Sequence, residues 1–250
     1  MKTMHPKVKF GDFRIDCLSR SDLVRLALED CGRNGPPRLV FDVNGHALSL
    51  AKTDARYRDA VQQADIVHAD GGFLVTLSRR LGLPEIPERS ATTDMIHDFA
   101  SAFAGTEHGF YLLGGEERVN QQASEILSKA YSDLRISGRR NGFFSQQEEA
   151  SVVEAINASG AALLWVGLGK PKEQDFCVRW KDKLNVKWIV TCGGCYNYIT
   201  GDYGRAPAWM QRSNIEWIHR MATEPRKLFW RYAITTPHAL WIAMREHGAT

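Results

Sequence analysis

The sequence predicts an α/β protein built on a largely parallel sheet with helices over both faces. Three observations lead there. Strand-length apolar runs recur along the 250 residues, helix-like stretches separate them, and loops rich in glycine and small polar residues follow four of the runs. Strands that alternate with helices pack as a mostly parallel sheet between two helical layers.

Taken in order, 21–31 is the first helix-like stretch and Arg38-Leu-Val-Phe-Asp42 the first predicted strand. A helical pattern over 46–63 leads to a short strand at Ile66-Val-His68, and 71–82 and 92–103 are then helical. Gly109-Phe-Tyr-Leu-Leu113 is the third strand, followed by a helix over 116–130. The helix over 146–158 has both a start and a stop. Ser145 and Glu148 have capping-box spacing, and Gly160 stands at the far end. Ala162-Leu-Leu-Trp-Val166 and Lys187-Trp-Ile-Val-Thr191 are the last strands, with a helix over 171–183 between them. The alternation gives way near Gly201.

Composition narrows the class. The 44% hydrophobic and 24% charged residues are those of a globular chain, and its length suits one domain, or one domain with an appendage. A net charge of +3 is too small to argue for bulk nucleic-acid binding. No apolar run nears the ~18 residues of a membrane span, and Met1–Phe13 lacks the apolar core of a signal peptide. Five scattered cysteines argue against a secreted disulfide framework. Cys192-Gly-Gly-Cys195 has redox spacing, but it follows Trp188-Ile-Val and reads as a turn leaving a buried strand. The expected location is the cytosol, or the cytosolic face of a membrane.

The informative charge is local. From Arg205 onward there are seven lysines and arginines against three glutamates, and four of the seven tryptophans: Trp209, Trp217, Trp230 and Trp241. A basic segment interleaved with indoles suits a surface where phosphate meets hydrocarbon. Amphipathic helices resting at the headgroup layer are the expectation for 205–245; the plainer reading is a helix pair packing its tryptophans on the core.

Ligands of a parallel sheet bind beyond the carboxyl ends of its strands. Four such ends carry Gly-rich loops: Asp42-Val-Asn-Gly45, Ala69-Asp-Gly-Gly72, Gly114-Gly-Glu116 and Gly167-Leu-Gly-Lys-Pro171. Glycine lets backbone approach a ligand, and amides at a following helix start attract phosphate. None matches a dinucleotide or Walker fingerprint. Asp70, at a loop mouth, can take a proton from an attacking hydroxyl; the plainer reading is a helix cap. His68 lies on the same strand face, but a lone His-x-Asp is a poor metal signal and no Asp-x-Asp pair exists, so metal-independent chemistry is expected. A departing diphosphate then needs cations, with Arg89, Lys170, Lys172 and the tail arginines as candidates.

Together these residues resemble the WecG/TagA/CpsF family, glycosyltransferase family 26. The motifs are His68-Ala-Asp-Gly71, Glu88-Arg89, Tyr111-Leu-Leu-Gly-Gly115, Asn141-Gly-Phe-Phe-Ser145 and Val166-Gly-Leu-Gly-Lys-Pro-Lys172. Gly193-Gly194, Arg205-Ala-Pro207, Glu216-Trp217, Arg220 and Glu224-Pro-Arg226 follow in the family's order. The resemblance implies a Rossmann-like catalytic domain over 1–203 and a basic, membrane-associating appendage over 204–250. It implies inverting transfer from a UDP-sugar to a polyprenyl-diphosphate-linked sugar in surface polysaccharide synthesis, and no cofactor is expected.

By the same resemblance Asp70 falls on the catalytic base, Asn44 and Arg89 on substrate-contacting positions, and Arg220 and Arg226 on arginines that hold the donor's diphosphate. Gly114, Gly115, Gly167, Gly169 and Lys170 complete the candidate set. Two departures enter it. Asp42 stands where the family often has Thr, and could raise the pKa of Asp70 or compete with it as base. Glu173 stands where the family has Gln, so an acid replaces an amide among the sugar-orienting groups. The usual Phe-Asp is Tyr196-Asn197 here. A homo-oligomer would cover an apolar tail off the membrane. From other classes, a nucleotide-binding oxidoreductase would need the missing fingerprint, and a non-enzymatic RNA-binding module would use the basic aromatic tail.

Overall fold

The computed structural model describes residues 5–207, 209–210, 216–223 and 225–249; the side chains of 217, 220, 222–223 and 225–232 lie outside that set. A hairpin opens the chain, β1 (Lys7–Phe10) and β2 (Phe13–Asp16), turning at Gly11 with φ 58°. Alternation sends Val8, Phe10, Phe13 and Ile15 inward and leaves Lys9 and Arg14 outside. Then follow α1 (Arg20–Cys31), β3 (Arg38–Val43), α2 (Gly45–Thr53), α3 (Ala55–Gln62), β4 (Ile66–Ala69), α4 (Gly72–Arg80) and α5 (Thr92–Phe103). The middle of the chain supplies β5 (Gly109–Gly114), α6 (Glu117–Ala130), β6 (Ile136–Arg140), α7 (Glu149–Ala158), β7 (Ala161–Gly167), α8 (Lys172–Trp180), β8 (Trp188–Thr191) and α9 (Cys195–Ile199). The C-terminal part holds α10 (Glu216–Thr223), α11 (Pro225–Arg245) and β9 (His247–Ala249).

Six strands form one parallel sheet in the order β4-β3-β8-β7-β5-β6. Every residue of β4, β5, β7 and β8 is buried, as expected for strands covered on both faces. One face packs Leu48, Tyr57, Val61, Val152, Ile156 and Phe176 from α2, α3, α7 and α8. The other packs Leu23, Leu26, Phe99, Leu127 and Tyr196 from α1, α5, α6 and α9 around Trp165 and Trp188. The α/β architecture expected from the sequence is the one found. The end of the chain also returns to its start: β9 pairs antiparallel with β1, and α11 lays Ala239 and Ala243 on the core beside α2.

The differences are local. The stretch 46–63 is two helices, because Asp54 accepts the Tyr57 amide at 3.0 Å and caps a new one. The capping box at Ser145 is present, with its amide donating to Glu148 at 2.8 Å, and it heads a short 3-10 turn that runs into α7. Strands β1, β2, β6 and β9 were not anticipated.

Candidate active site

Beyond the carboxyl ends of β3, β4, β7 and β8 lies a cleft of about 540 Å³. Asp42, Asn44, Asp70, Arg89, Gly169, Lys170 and Glu173 line it, so seven of the sequence-derived candidates meet there. The C-terminal part lines the same cleft through Glu216, Thr235 and Thr236, which places it beside Asp70 rather than on another face.

Asp70 leaves β4 half-buried and facing the cleft. It is not a helix cap: α4 starts after Gly71 with no side-chain cap. Its Oδ2 accepts the Asn44 Nδ2 at 3.1 Å, while Asn44 Oδ1 accepts the Ala47 amide at 3.1 Å and caps α2. One asparagine thus ties the β3 loop to the β4 loop. A side chain at Gly71 would put its Cβ 3.1 Å from the Asn44 Cα, so glycine permits the close approach of these loops. Burial raises the Asp70 pKa, and the Asp42 charge adds to the rise. Arg89, Lys170 and the Asn44 bond pull against it without cancelling it. A carboxylate raised toward neutrality is a stronger base than one in water.

Asp42 is the opposite case. Burial would raise it, but the Lys170 ammonium, His68 and a Thr191 hydroxyl bond at 3.2 Å outweigh burial and hold it below the ordinary carboxylate range. Lys170 donates to Asp42 Oδ2 in a buried ion pair. Both oxygens of Asp42 are therefore engaged, and of the two effects expected of it the geometry favours a rise in the Asp70 pKa over competition as base. The same pair matches the Lys170 charge inside the protein, at the edge of the cleft that Lys170 lines.

Glu173 is fully buried on α8. Its Oε2 accepts the amides of Gly169 at 3.0 Å and Gly193 at 3.1 Å, joining the loops after β7 and β8. Burial lifts its pKa to about 7, against the pull of Lys170, whose Nζ lies 3.9 Å away. Its bonds are those of a loop fastener that borders the cleft.

Arg89 donates to Glu216 Oε2 at 2.7 Å and lies 3.7 Å from Asp94, which also accepts from Arg205 at 2.7 Å. Of the remaining candidates, Gly115 and Gly167 line a second, more open cleft with Phe143, Phe144, Lys172 and Asn197. Gly114 lies at the end of β5 opposite Gly167, where an added Cβ would come within 2.2 Å of the Gly167 carbonyl oxygen. Its glycine is explained by strand packing. The Arg220 and Arg226 side chains lie outside the described residues. Thr191, Asp94 and the pairing role of Glu216 had no local signal in the sequence; Glu216 stood out only as part of a motif. All five cysteines are unbridged, and Cys192 and Cys195 are buried. Among the described residues no group of three or more His, Cys, Asp or Glu side chains could hold a metal ion.

The model of the glycosyl transferase WecG/TagA/CpsF family matches residues 8–250. The chain is also 24% identical over 200 residues to an N-acetylglucosaminyldiphosphoundecaprenol N-acetyl-beta-D-mannosaminyltransferase of Bacillus spizizenii, covering 80% of this chain and 76% of that protein.

Proposed function

This chain belongs to the WecG/TagA/CpsF family of glycosyl transferases, and on that premise we propose that it moves a sugar from a UDP-sugar to the hydroxyl of a sugar on a polyprenyl diphosphate. The product would enter a cell-surface polysaccharide. The relative's name makes polyprenyl-diphosphate N-acetylglucosamine the first acceptor to try and UDP-N-acetylmannosamine the first donor.

The observation that carries the mechanism is Asp70: a half-buried carboxylate at a strand end, held by Asn44, with its pKa raised and its face to the cleft. In a single in-line displacement, Asp70 takes the proton of the acceptor hydroxyl as that oxygen attacks the anomeric carbon, and UDP departs from the opposite side with inversion. Charge developing on the departing diphosphate is met, as the family resemblance implies, by Arg220 and Arg226, while Arg89 and Asn44 orient the sugars. No step needs a metal.

The acceptor's lipid suggests where the cleft opens. On α11 the exposed Ile234, Leu240, Trp241 and Met244 form an apolar stripe at helical spacing, and the Arg245 guanidinium stacks 5.3 Å from the Trp241 ring. The opposite face, with Ala239, Ile242 and Ala243, packs on the protein. A helix buried on one face and apolar on the other suits the surface of a bilayer. Among the described residues no helix is long and apolar enough to cross one.

The test is Asp70→Asn, assayed by UDP release and product mass with UDP-sugars against lipid-diphosphate N-acetylglucosamine. Turnover should fall about 10²–10⁴-fold, the contribution of a positioned base, while UDP still binds. Near-normal turnover would remove Asp70 from the role. Anomeric configuration of the product and activity in EDTA test inversion and metal independence.

A further inference from the structure

Arg89 stands among three carboxylates, and its contacts go to the two that the proposed reaction does not use. Nη1 donates to Glu216 at 2.7 Å and Nη2 lies 3.7 Å from Asp94. Among the described residues Asp70 enters no salt bridge; its hydrogen bond comes from Asn44. Arg89 and Glu216 keep only 16% and 11% of their side-chain surface exposed, so their pairing is little screened by solvent.

We propose that Glu216 is a positioning residue that draws the Arg89 guanidinium away from Asp70 and so leaves Asp70 able to accept a proton. The proposal rests on Asp70 being the base. An arginine bound directly to that carboxylate would occupy the oxygen that must take the proton, and would lower its pKa by about 1–3 units. The Glu216 carboxylate gives Arg89 a better-placed partner. The second partner, Asp94, is shared with Arg205, which binds it at 2.7 Å, so Glu216 is the principal hold on Arg89. Glu216 begins α10, so the C-terminal part of the chain supplies a group that sets the strength of a base borne by β4.

Other charges face these groups. Asp70 sees Asp42 from β3, His68 from β4, and Lys170 from the β7–α8 loop, besides Arg89. Glu173 borders the same cleft. Arg89 sees Asp70, Glu216 and Asp94, with Arg205 behind Asp94. Among the described residues, Glu216 and Asp94 are the carboxylates that form ion pairs with Arg89, against the pull of the Asp70 charge.

The experiment is the pH profile of kcat/KM for the full chain and for Glu216→Gln, Glu216→Asp, Arg89→Met and the Arg89→Met/Glu216→Gln double variant. In Glu216→Gln the arginine is released to Asp70. The acid limb should move down by about one pH unit, and kcat/KM at the optimum should fall about 10–100-fold, part of what a general base contributes. Glu216→Asp should keep the wild-type limb. The double variant should match Arg89→Met, because Glu216 acts only through Arg89; that comparison also serves if Glu216→Gln fails to fold. An acid limb that stays in place or rises in Glu216→Gln overturns the proposal even if activity falls, as does a double variant unlike Arg89→Met. If Asp70→Asn is active, the assignment of the base has failed instead.

Discussion

Replacing Glu173 by glutamine should stabilise the protein at alkaline pH and leave it unchanged at acid pH. Burial pushes the Glu173 carboxyl from 4.5 to about 7, with Asp42 adding to the rise and Lys170 opposing it. Below about 4.5 the group is protonated in both the folded and unfolded chains, and the contribution of its neutral form is fully present. As pH rises through about 7 that contribution is lost, because the folded protein must carry a buried charge that the unfolded chain carries in water. At 1.36 kcal/mol per pH unit the displacement amounts to about 3 kcal/mol. The substitution removes this cost with little rearrangement. The amide oxygen can accept from Gly169 and Gly193 as Oε2 does now. The new amino group would meet the Gln174 Nε2, which now donates to Glu173 at 3.3 Å. The Gln174 Oε1 is buried without a hydrogen-bond partner among the described residues, so turning that amide over converts the clash to a bond. Urea unfolding followed by tryptophan fluorescence, compared at about pH 5 and about pH 8.5, should give a gain of about 1–3 kcal/mol at the higher pH alone. A gain that does not grow with pH, or a loss at the higher pH, refutes the reasoning.

Two further outcomes are expected. Lys170→Met strands Asp42 in the interior and should cost about 3–5 kcal/mol in the same titration, while Asp42→Thr with Lys170→Met should recover most of it by removing both charges. Serine at Ile234, Trp241 and Met244 should lower flotation with anionic vesicles, and equal flotation of the variant and wild type would count against a membrane-facing α11.

Five strands were readable because a strand covered on both faces is a continuous apolar run, and β7 is buried at every residue. The strands that escaped notice lack that signature for different reasons. Strand β6 reads Ile-Ser-Gly-Arg-Arg, lies at the sheet edge and is half-buried throughout. Strands β1 and β2 are four residues each, and their alternating lysines and arginines obscure a buried row of Val8, Phe10, Phe13 and Ile15. Strand β9 has no apolar pattern; its place is set by backbone pairing with β1 across the whole chain. The break at Asp54 is hidden because a helical period continues through it, while only the side-chain cap to Tyr57 decides where one helix stops.

The site divides along the same line between local and distant causes. Gly-rich loops at strand ends locate the rim, because parallel topology gathers those ends whatever their order in sequence. What each acid does there depends on partners that no local pattern contains. Asp42 stands one residue before the end of one strand and Asp70 just after the next, 28 positions later, and by type they are the same acid. Lys170, 128 residues beyond Asp42, neutralises the first. Glu216, 127 residues beyond Arg89, occupies the cation that could neutralise the second. Charge pairing of this kind is settled only once the sheet has closed and the end of the chain has folded back onto it. A substitution at Lys170 should therefore raise the Asp42 pKa, and one at Glu216 should lower that of Asp70, without touching either carboxylate.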